Sequence, residues 1–338
     1  MPIAGFPTTL NPTLQVGFTP VFVDVDLDTL GMSPFYLRNF LEEFAVVKSG
    51  KTYNKKTGNR IAACVPMHTF GIPCRIQEIA KICSEWNIPL IEDAAEALGS
   101  SIDNKKNGSI ADSTIFSFCG NKVLTTGEGG AIVTNSKTIH DKINLIRSHG
   151  RMDTINYFEN NAESNYVQLG YNWRMSSLTA SLGISQLNKL EKIIQMRQKN
   201  AIYISERLRK FSQIKLPSIP KGYRHIYQMF TIRLQNKTMR DQLHTFLSQK
   251  RIFSKVYFTP IHLTEFYQKN FHTKTGLLPK TELISEQVLT LPLYPNMTDE
   301  EKNYLIESIS EFITLNNDDW KSSGTPLLPT FSGAKSNK

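Results

Sequence analysis

Short apolar segments alternate with amphipathic ones in the first part of the chain. Residues 20–24, 61–66 and 88–92 are short, continuously apolar, and bounded by polar or turn residues. Buried parallel strands have this pattern. Between the last two segments, the apolar residues of 74–86 recur at helical spacing, so strand, helix and strand alternate. The pattern predicts an α/β fold, a mostly parallel sheet covered on both faces.

The rest of the chain changes its pattern near residue 224, where alternating apolar and polar positions begin. Before that point we predict strands at 113–118 and 130–134, a helix at 137–148, and one long amphipathic helix at about 177–211. After it we predict strands at 230–234 and 253–258 and helices at 239–249 and 299–312. The sequence thus predicts a large α/β domain over residues 1–200, a smaller α+β domain over 201–315, and a flexible tail over 316–338.

Composition and charge narrow the class of protein. No segment approaches the roughly 18 apolar residues of a membrane span, and the amino terminus lacks the features of a secretory leader, so we expect a cytoplasmic protein without a membrane partner. The four cysteines lack metal-ligand spacing, so no metal site is predicted. The net charge of +9 is concentrated in residues 47–60, which carry five of the nine excess charges. This basic segment has no nucleic-acid signature, and it is interpreted as a solvated loop or as a region that attracts a phosphate-bearing substrate.

Two predicted strands end next to an acid and an amine. Asp93 follows the apolar run 88–92, and Lys122 follows the segment that ends at Ser117, just before the glycine-rich turn 127–130. Open α/β sheets bind ligands beyond the carboxyl ends of their strands. An amine can hold the aldehyde of pyridoxal phosphate as an imine, a carboxylate can keep its ring nitrogen protonated, and small polar groups can bind its phosphate. Each residue alone could equally be a cap, a turn or a solvated side chain, but the ordered set indicates this cofactor.

The same segments carry a family resemblance. They include Met67-His-Thr-Phe-Gly, Ile91-Glu-Asp-Ala-Ala-Glu-Ala, Ser117-Phe-Cys-Gly-Asn-Lys and Gly170-Tyr-Asn-Trp-Arg. In order and content the chain resembles the DegT/DnrJ/EryC1/StrS nucleotide-sugar aminotransferases over about 300 residues. Within that group it looks most like enzymes that aminate the C4 ketone of UDP-linked 4-keto-6-deoxy-N-acetylhexosamines, of the legionaminic acid and bacillosamine type. The resemblance implies a fold-type-I aminotransferase that serves surface polysaccharide or lipopolysaccharide synthesis, with glutamate as the amino donor.

The resemblance also implies roles for individual residues. Lys122 would form the Schiff base and shuttle the proton, and Asp93 would bind the ring nitrogen. Ala95 would pack on the ring, Glu96 would contact the ring hydroxyl, and Ser117 would hold the phosphate. The resemblance also implies a homodimer with shared active sites, in which Asn172 would reach the cofactor phosphate bound by the neighbouring subunit. Phe6 would stack on the cofactor ring or lie in the core.

Three more residues occupy motif positions where family members contact the substrate. His68 and His262 are candidates for such contacts, and a structural role is an equal alternative for each. Tyr257 is a weaker candidate.

One departure from the family pattern concerns the start of the chain. Family members carry a Gly-Thr or Gly-Ser turn, some tens of residues before the point where this sequence begins, that binds the cofactor phosphate at a helix N-terminus. Weak cofactor retention is therefore expected, and a catalytically silent homologue is an open alternative. A second alternative is a sugar 3-dehydrase, suggested by residues 4–12, although those enzymes carry histidine where this chain has Lys122.

Overall fold

The computed structural model describes residues 7–152 and 165–322. The helices are α1 (Pro7–Gln15), α2 (Pro34–Phe44), α3 (Ile76–Glu85), α4 (Lys137–Arg147), α5 (Ser177–Leu187), α6 (Leu190–Leu208), α7 (Lys237–Gln249), α8 (Glu265–Phe271), α9 (Pro279–Gln287) and α10 (Asp299–Ser322), with a 3-10 turn at Ile261–Leu263. The strands are β1 (Ala45–Lys48), β2 (Lys51–Asn54), β3 (Ile91–Asp93), β4 (Ser101–Ile102), β5 (Lys105–Lys106), β6 (Ser113–Ser117), β7 (Gly130–Val133), β8 (Ile214–Lys215), β9 (Tyr223–Arg224), β10 (Phe230–Leu234) and β11 (Val288–Leu291).

The sheet at the centre of the first part has the order β3-β6-β7. Strand β3 is parallel to β6, and Asp93 lies opposite Ile115. The chain around residues 64–67 extends this sheet through parallel bridges from Cys64 to Leu90 and from Met67 to Asp93. Helices α2 and α3 pack on it, so the predicted α/β architecture is confirmed.

Several predicted elements differ in the structure. Residues 20–24 do not form a strand, because the chain turns back on itself here and the Ser33 amide donates to the Asp24 carbonyl. The Asp24 carboxylate also accepts hydrogen bonds from the backbone amides of Lys280 and Thr281 at the start of α9. Residues 61–66 take part only in isolated bridges. Residues 253–258 pair only at Lys255, and Phe258, with φ of 103°, turns the chain away from the extended conformation.

The long helix predicted at 177–211 is two helices in the structure. At the end of α5 the backbone amide of Lys189 donates to the Gln186 carbonyl, a tighter i to i−3 hydrogen bond, and α6 begins at the next residue. The break separates a helix with no buried side chain from one that places Ile194, Ala201 and Ile204 in the interior.

Two large groups of buried side chains lie on either side of residue 200. One joins α2, α3 and the strand ends between residues 23 and 111, and the other joins α6, α7, β10, β11 and α10 between residues 201 and 313. We propose the domain boundary at this position, as the sequence pattern suggested. Helix α10 runs to Ser322, beyond the start predicted for the flexible tail, and the remainder of that tail, 323–338, lies outside the described residues.

The basic segment forms the antiparallel hairpin β1-β2. Lys55 donates to the carbonyls of Glu42 and Glu43 at the end of α2, and Lys48 and Lys51 are exposed. The hairpin leads into the amino end of the segment 61–67. Ligands of parallel sheets bind instead at the carboxyl ends of the strands. Across the described ranges, no helix is long and apolar enough to cross a membrane.

Candidate active site

The carboxyl ends of three neighbouring strands form the edge on which the candidate site is built. His68 follows Met67, Asp93 ends β3, and Ser117 ends β6. The parallel pairing of these segments fixes the relative heights of their ends, because Met67 and Ile115 both lie beside Asp93. Side chains that are distant in sequence therefore meet at one edge of the sheet.

Lys122 lies in the loop that joins β6 to the antiparallel strand β7. Its backbone amide donates to the Cys119 carbonyl at 3.0 Å, and Thr126 N donates to the Phe118 carbonyl at 2.9 Å. Gly129 has φ of 141°, a backbone conformation that residues with a Cβ atom rarely adopt, so the turn favours glycine at this position. The loop is thus a compact turn that carries the lysine to the crevice.

The Lys122 amine points toward a buried carboxylate. Lys122 Nζ lies 3.9 Å from Glu96 Oε1, and the two side chains are 9% and 0% exposed. Glu96 follows β3 by three residues, and its Oε2 accepts a hydrogen bond from the Phe70 backbone amide at 2.8 Å. The tertiary fold therefore brings together the amine and the acid that the sequence placed about twenty-five residues apart.

Glu96 has an unusual protonation equilibrium. Burial raises its pKa to about 7, and the negative charge of Asp93 also raises it, while the Lys122 ammonium and the Phe70 amide oppose the rise. Its Oε1 has no hydrogen-bond partner within the described structure. A buried oxygen without a hydrogen bond is costly, and a ligand hydroxyl would satisfy it.

Asp93 is held from two sides. Thr9 of α1 donates its hydroxyl to Asp93 Oδ2 at 2.6 Å, and the Ala95 backbone amide donates to Oδ1 at 3.0 Å. The side chain is 8% exposed. Each carboxylate oxygen can accept a further hydrogen bond, so Asp93 can still receive the proton-bearing nitrogen of a heteroaromatic ring.

These residues fit pyridoxal phosphate. The chain offers an amine for the aldehyde, a fixed carboxylate for the ring nitrogen, and an orphaned carboxyl oxygen that suits a ring hydroxyl. The half-buried Ala95 lies between Asp93 and Glu96.

The two residues proposed for the phosphate lie in different settings. Ser117 is half-buried, and its hydroxyl accepts from the Cys119 amide at 3.3 Å. Asn172 is exposed, and its Oδ1 accepts from Arg174 Nε at 3.1 Å. Phe6 lies outside the described residues.

His68 occupies a fully buried position with both ring nitrogens engaged. Its Nε2 is 3.0 Å from Glu92 Oε2, and its Nδ1 accepts from the Cys74 amide at 3.1 Å. These bonds assign the imidazole proton to Nε2 and tie two segments together. The geometry favours the structural alternative over a substrate contact for His68.

His262 is also fully buried. Its Nε2 lies 2.8 Å from Glu282 Oε1, a carboxylate that accepts from the Gly276 and Leu278 amides as well. Its Nδ1 finds no hydrogen-bond partner in the described ranges. The contact with Glu282 ties the 3-10 turn that contains His262 to α9, so a structural role is favoured for His262 too.

Tyr257 belongs to an aromatic cluster that borders Glu96. Its ring packs edge-on against Phe70 at 6.5 Å and against Phe258 at 4.5 Å, and Phe70 stacks on Phe258 at 5.3 Å. Burial raises the pKa of the Tyr257 hydroxyl, and the charge of Glu96 raises it further. The cluster gives the crevice an apolar wall with one phenol in it.

Two residues of the site were missed by sequence reasoning. Thr9 contacts Asp93 from 84 positions away, and Gln228 bonds the lysine loop from more than 100 positions away. Gln228 did leave a signal, since it is a polar residue inside the apolar run 226–232. Thr9 left none, because threonine is common on helix surfaces.

Comparison with known proteins identifies the family of the chain. The family model of the DegT/DnrJ/EryC1/StrS aminotransferases matches residues 1–310. A GDP-perosamine synthase of Vibrio cholerae is 31% identical over 315 residues, covering 92% of this chain and 78% of that protein. The UDP-4-amino-4,6-dideoxy-N-acetyl-beta-L-altrosamine transaminase of Helicobacter pylori is 29% identical over 315 residues, covering 90% and 76%.

A solved structure shows the same fold. The crystal structure of a DegT/DnrJ/EryC1/StrS aminotransferase from Brucella abortus superposes with a TM-score of 0.79 at 27% identity, covering 92% of this chain and 78% of that one. The matched range includes the lysine loop, the acid strand and the small domain. The chain belongs to the DegT/DnrJ/EryC1/StrS family of pyridoxal-phosphate-dependent aminotransferases.

Proposed function

We propose that this protein transfers an amino group, with glutamate as donor, to the ketone of a nucleotide-linked 4-keto-6-deoxy sugar used in surface polysaccharides. One observation carries the proposal: the Lys122 amine lies 3.9 Å from the buried Glu96, at the sheet edge where Asp93 ends β3. An amine, a fixed carboxylate and a second acid at one strand edge suit a reaction that moves protons at a carbon next to nitrogen.

Each residue has a defined part in that reaction. When bound, pyridoxal phosphate supplies the electron sink and carries the amino group between donor and acceptor. Lys122 Nζ would hold the cofactor through its aldehyde, and the lysine amine would move a proton to and from the substrate carbon. Asp93 would keep the ring nitrogen protonated, and Thr9 holds the Asp93 carboxylate in place. Glu96 Oε1 would bind the ring hydroxyl, Ala95 would pack on the ring, and Ser117 would bind the phosphate.

Three features support an anionic deoxy sugar as substrate. The relatives described above are named for a GDP-linked sugar and for a UDP-linked 4-amino-4,6-dideoxy sugar. The cluster of Phe70, Tyr257 and Phe258 next to Glu96 offers an apolar surface for a sugar methyl group. His149, Arg151 and Arg174 line a cavity of about 540 Å³ that adjoins Asn172, and the two arginines there suit a diphosphate.

A homodimer with shared sites is part of the proposal. Asn172 is exposed, as are the neighbouring Trp173 and Leu178, at 65% and 85%. A surface that exposes large apolar side chains around a functional residue is typical of a contact between subunits. The Asn172 amide of one chain would then bind the cofactor phosphate held by the other.

The Lys122→Ala variant tests the proposal directly. The wild-type protein mixed with pyridoxal phosphate should show the visible absorbance of lysine-bound cofactor and should convert glutamate and a nucleotide-linked 4-keto-6-deoxy sugar to an amino sugar. The variant should lose both, because it removes the amine that lies at Glu96, while its circular dichroism stays unchanged. Lys137→Ala, which removes an 87% exposed lysine, is the matched control. Retention of the absorbance in Lys122→Ala would refute the role of this residue.

The same assay separates the alternatives. Loss of water from the sugar without amine transfer would favour a dehydrase. Failure of a purified dimer to bind the cofactor would favour a silent homologue.

A further inference from the structure

The side chain of Gln228 binds the backbone on both sides of Lys122. Its Oε1 accepts a hydrogen bond from the Val123 amide at 2.9 Å, and its Nε2 donates to the Asn121 carbonyl at 2.8 Å. The residue is 4% exposed, so both bonds are shielded from water. A primary amide is a side chain that presents a donor and an acceptor side by side, and here each meets its complement.

The backbone at Gln228 is itself fixed by a buried arginine. Arg197 of α6 donates from Nε to the Tyr227 carbonyl and from Nη2 to the Gln228 carbonyl, both at 2.8 Å. The arginine is 8% exposed, and burial lowers its pKa to about 10. Two parallel N–H donors of a planar guanidinium define the orientation of the peptide they bind. Helix α6 therefore fixes the position from which Gln228 reaches the lysine loop.

Residues 226–229 also support Glu96, the acid that faces Lys122. Ile226 N donates to the Gly71 carbonyl at 3.0 Å, and Met229 N donates to the Phe70 carbonyl at 3.1 Å. The Phe70 amide in turn donates to Glu96 Oε2. A Cβ atom on Gly71 would lie 2.7 Å from Gln228 N, so the two backbones are in direct contact.

We propose that Gln228 is a positioning residue for Lys122, and that the chain from Arg197 through Gln228 sets the access of the Lys122 amine to water and to Glu96. Residues 226–229 then hold Lys122 through a side chain and Glu96 through Phe70. One rigid segment defines the separation between amine and acid. The importance of that separation for amine transfer rests on the proposed function, whereas the control of Lys122 accessibility does not.

The Gln228→Met variant removes both hydrogen bonds at nearly constant volume. In the cofactor-free protein, we expect hydrogen exchange of the peptide containing Val123 to rise roughly tenfold, the order expected for two lost bonds. We also expect the acetylation rate of Lys122, read by mass spectrometry over a pH series, to rise roughly threefold or more as the loop opens to water. Gln198→Met is the matched control. Gln198 lies on α6 next to Arg197, and its side chain donates to the His225 carbonyl and not to the lysine loop. It should leave Lys122 reactivity unchanged.

The Gln228→Glu variant is a conservative version with a built-in rescue. A protonated carboxyl can still donate to the Asn121 carbonyl and accept from Val123 N. An ionised carboxylate can only accept, so it faces the Asn121 carbonyl without a proton. The variant should match wild type at low pH and approach the Gln228→Met behaviour at high pH. Since burial raises the pKa of a carboxyl, the change should fall above the usual range of glutamate.

The outcomes separate clearly. Faster Lys122 acetylation in Gln228→Met but not in Gln198→Met supports the proposal, and so does a pH-dependent rescue in Gln228→Glu. Unchanged Lys122 acetylation in a Gln228→Met protein with faster Val123 exchange overturns it. If Gln228→Met does not fold, a Gln228→Glu protein whose Lys122 reactivity follows wild type at every pH overturns it equally.

A failure of the proposed function would look different. A wild-type protein that never forms the absorbance of lysine-bound cofactor would refute the aminotransferase proposal. The acetylation and exchange measurements need no cofactor, so they would still decide the role of Gln228. Where the absorbance does form, its pH midpoint should shift in Gln228→Met and stay at the wild-type value in Gln198→Met.

Discussion

At the scale of single residues, the site depends on a carboxyl group, that of Glu96, whose protonation state changes near neutral pH. Glu96 is fully buried, its Oε2 has a backbone donor, and its Oε1 lies 3.9 Å from the Lys122 amine. Burial raises its pKa to about 7. The residue can therefore offer a proton to a ring hydroxyl, or accept one, without a large change in free energy.

The pH dependence of stability tests this protonation. The unfolded-state pKa of glutamate is about 4.3, below the folded-state pKa of about 7. The contribution of neutral Glu96 to the free energy of unfolding is thus present in full below about pH 4.3, and it is lost as the pH rises toward 7. In cofactor-free protein, Glu96→Gln should gain free energy of unfolding relative to wild type between pH 5 and 8, by about 2–4 kcal/mol. Denaturant titrations at both pH values measure it.

A second buried glutamate provides the contrast. Burial raises the pKa of Glu92, but hydrogen bonds from His68 and from the Gly108 and Ala111 amides outweigh burial and leave the pKa lowered. Stability from ionised Glu92 is present above the unfolded pKa and lost as pH falls. Glu92→Gln should therefore show the opposite trend with pH. The same trend in both variants would contradict the assignment for Glu96.

At the scale of elements, α5 differs from α6, the helix that follows it. It carries Leu178, Leu182, Ile184 and Leu187 at 45–85% exposure, and none of its side chains is buried. The next helix, α6, buries one face and exposes the other in the usual amphipathic manner. An apolar helix left on the surface suits the subunit contact proposed near Asn172.

Matched isoleucines on the two helices test that contact. Ile184 on α5 is 63% exposed, and Ile202 on α6 is 52% exposed. Ile184→Ser should weaken self-association, because it removes apolar area from the contact, with a dimer dissociation constant roughly tenfold higher. Ile202→Ser should leave it unchanged. Sedimentation velocity over a concentration series measures both, and equal effects would argue against α5 as the contact.

At the scale of the whole molecule, the site draws residues from both sides of residue 200, where we propose the domain boundary. Lys122, Asp93 and Glu96 come from the first 200 residues, whereas Gln228 and Tyr257 come from the second part. Helix α6 contributes to both, with Ile194 beside Val123 and Ala201 in the core of the second part. Packing between these two parts of the chain therefore positions the reactive groups.

Mixing of variants tests whether sites are shared between chains. Lys122→Ala and Asn172→Ala should each impair a homodimer. In a mixed dimer, one site would combine an intact Lys122 with an intact Asn172 from the other chain. Random reassociation should restore roughly one quarter of wild-type activity in the assay for amino-sugar formation. Activity that stays at the level of the separate variants would show that Asn172 does not serve the neighbouring site.

The sequence by itself determined the fold class and the local order of the reactive residues. Continuous apolar runs followed by Asp93 and Ser117 predicted parallel strands with a ligand edge, and the short spacing to Glu96 and Lys122 brought those residues to the same edge. These features depend on nearby residues, which periodicity and turn chemistry report directly.

Tertiary structure decided the features that depend on distant contacts. The run at 20–24 did not become a strand because its end pairs with Ser33 in a local turn, and the predicted long helix broke because its two halves meet different surroundings. His68 and His262 became buried hydrogen-bonded groups, and Thr9 and Gln228 joined the site across 84 or more positions. Such pairings leave no period in the sequence, since a hydrogen bond between distant segments forms only when the packed core brings them together.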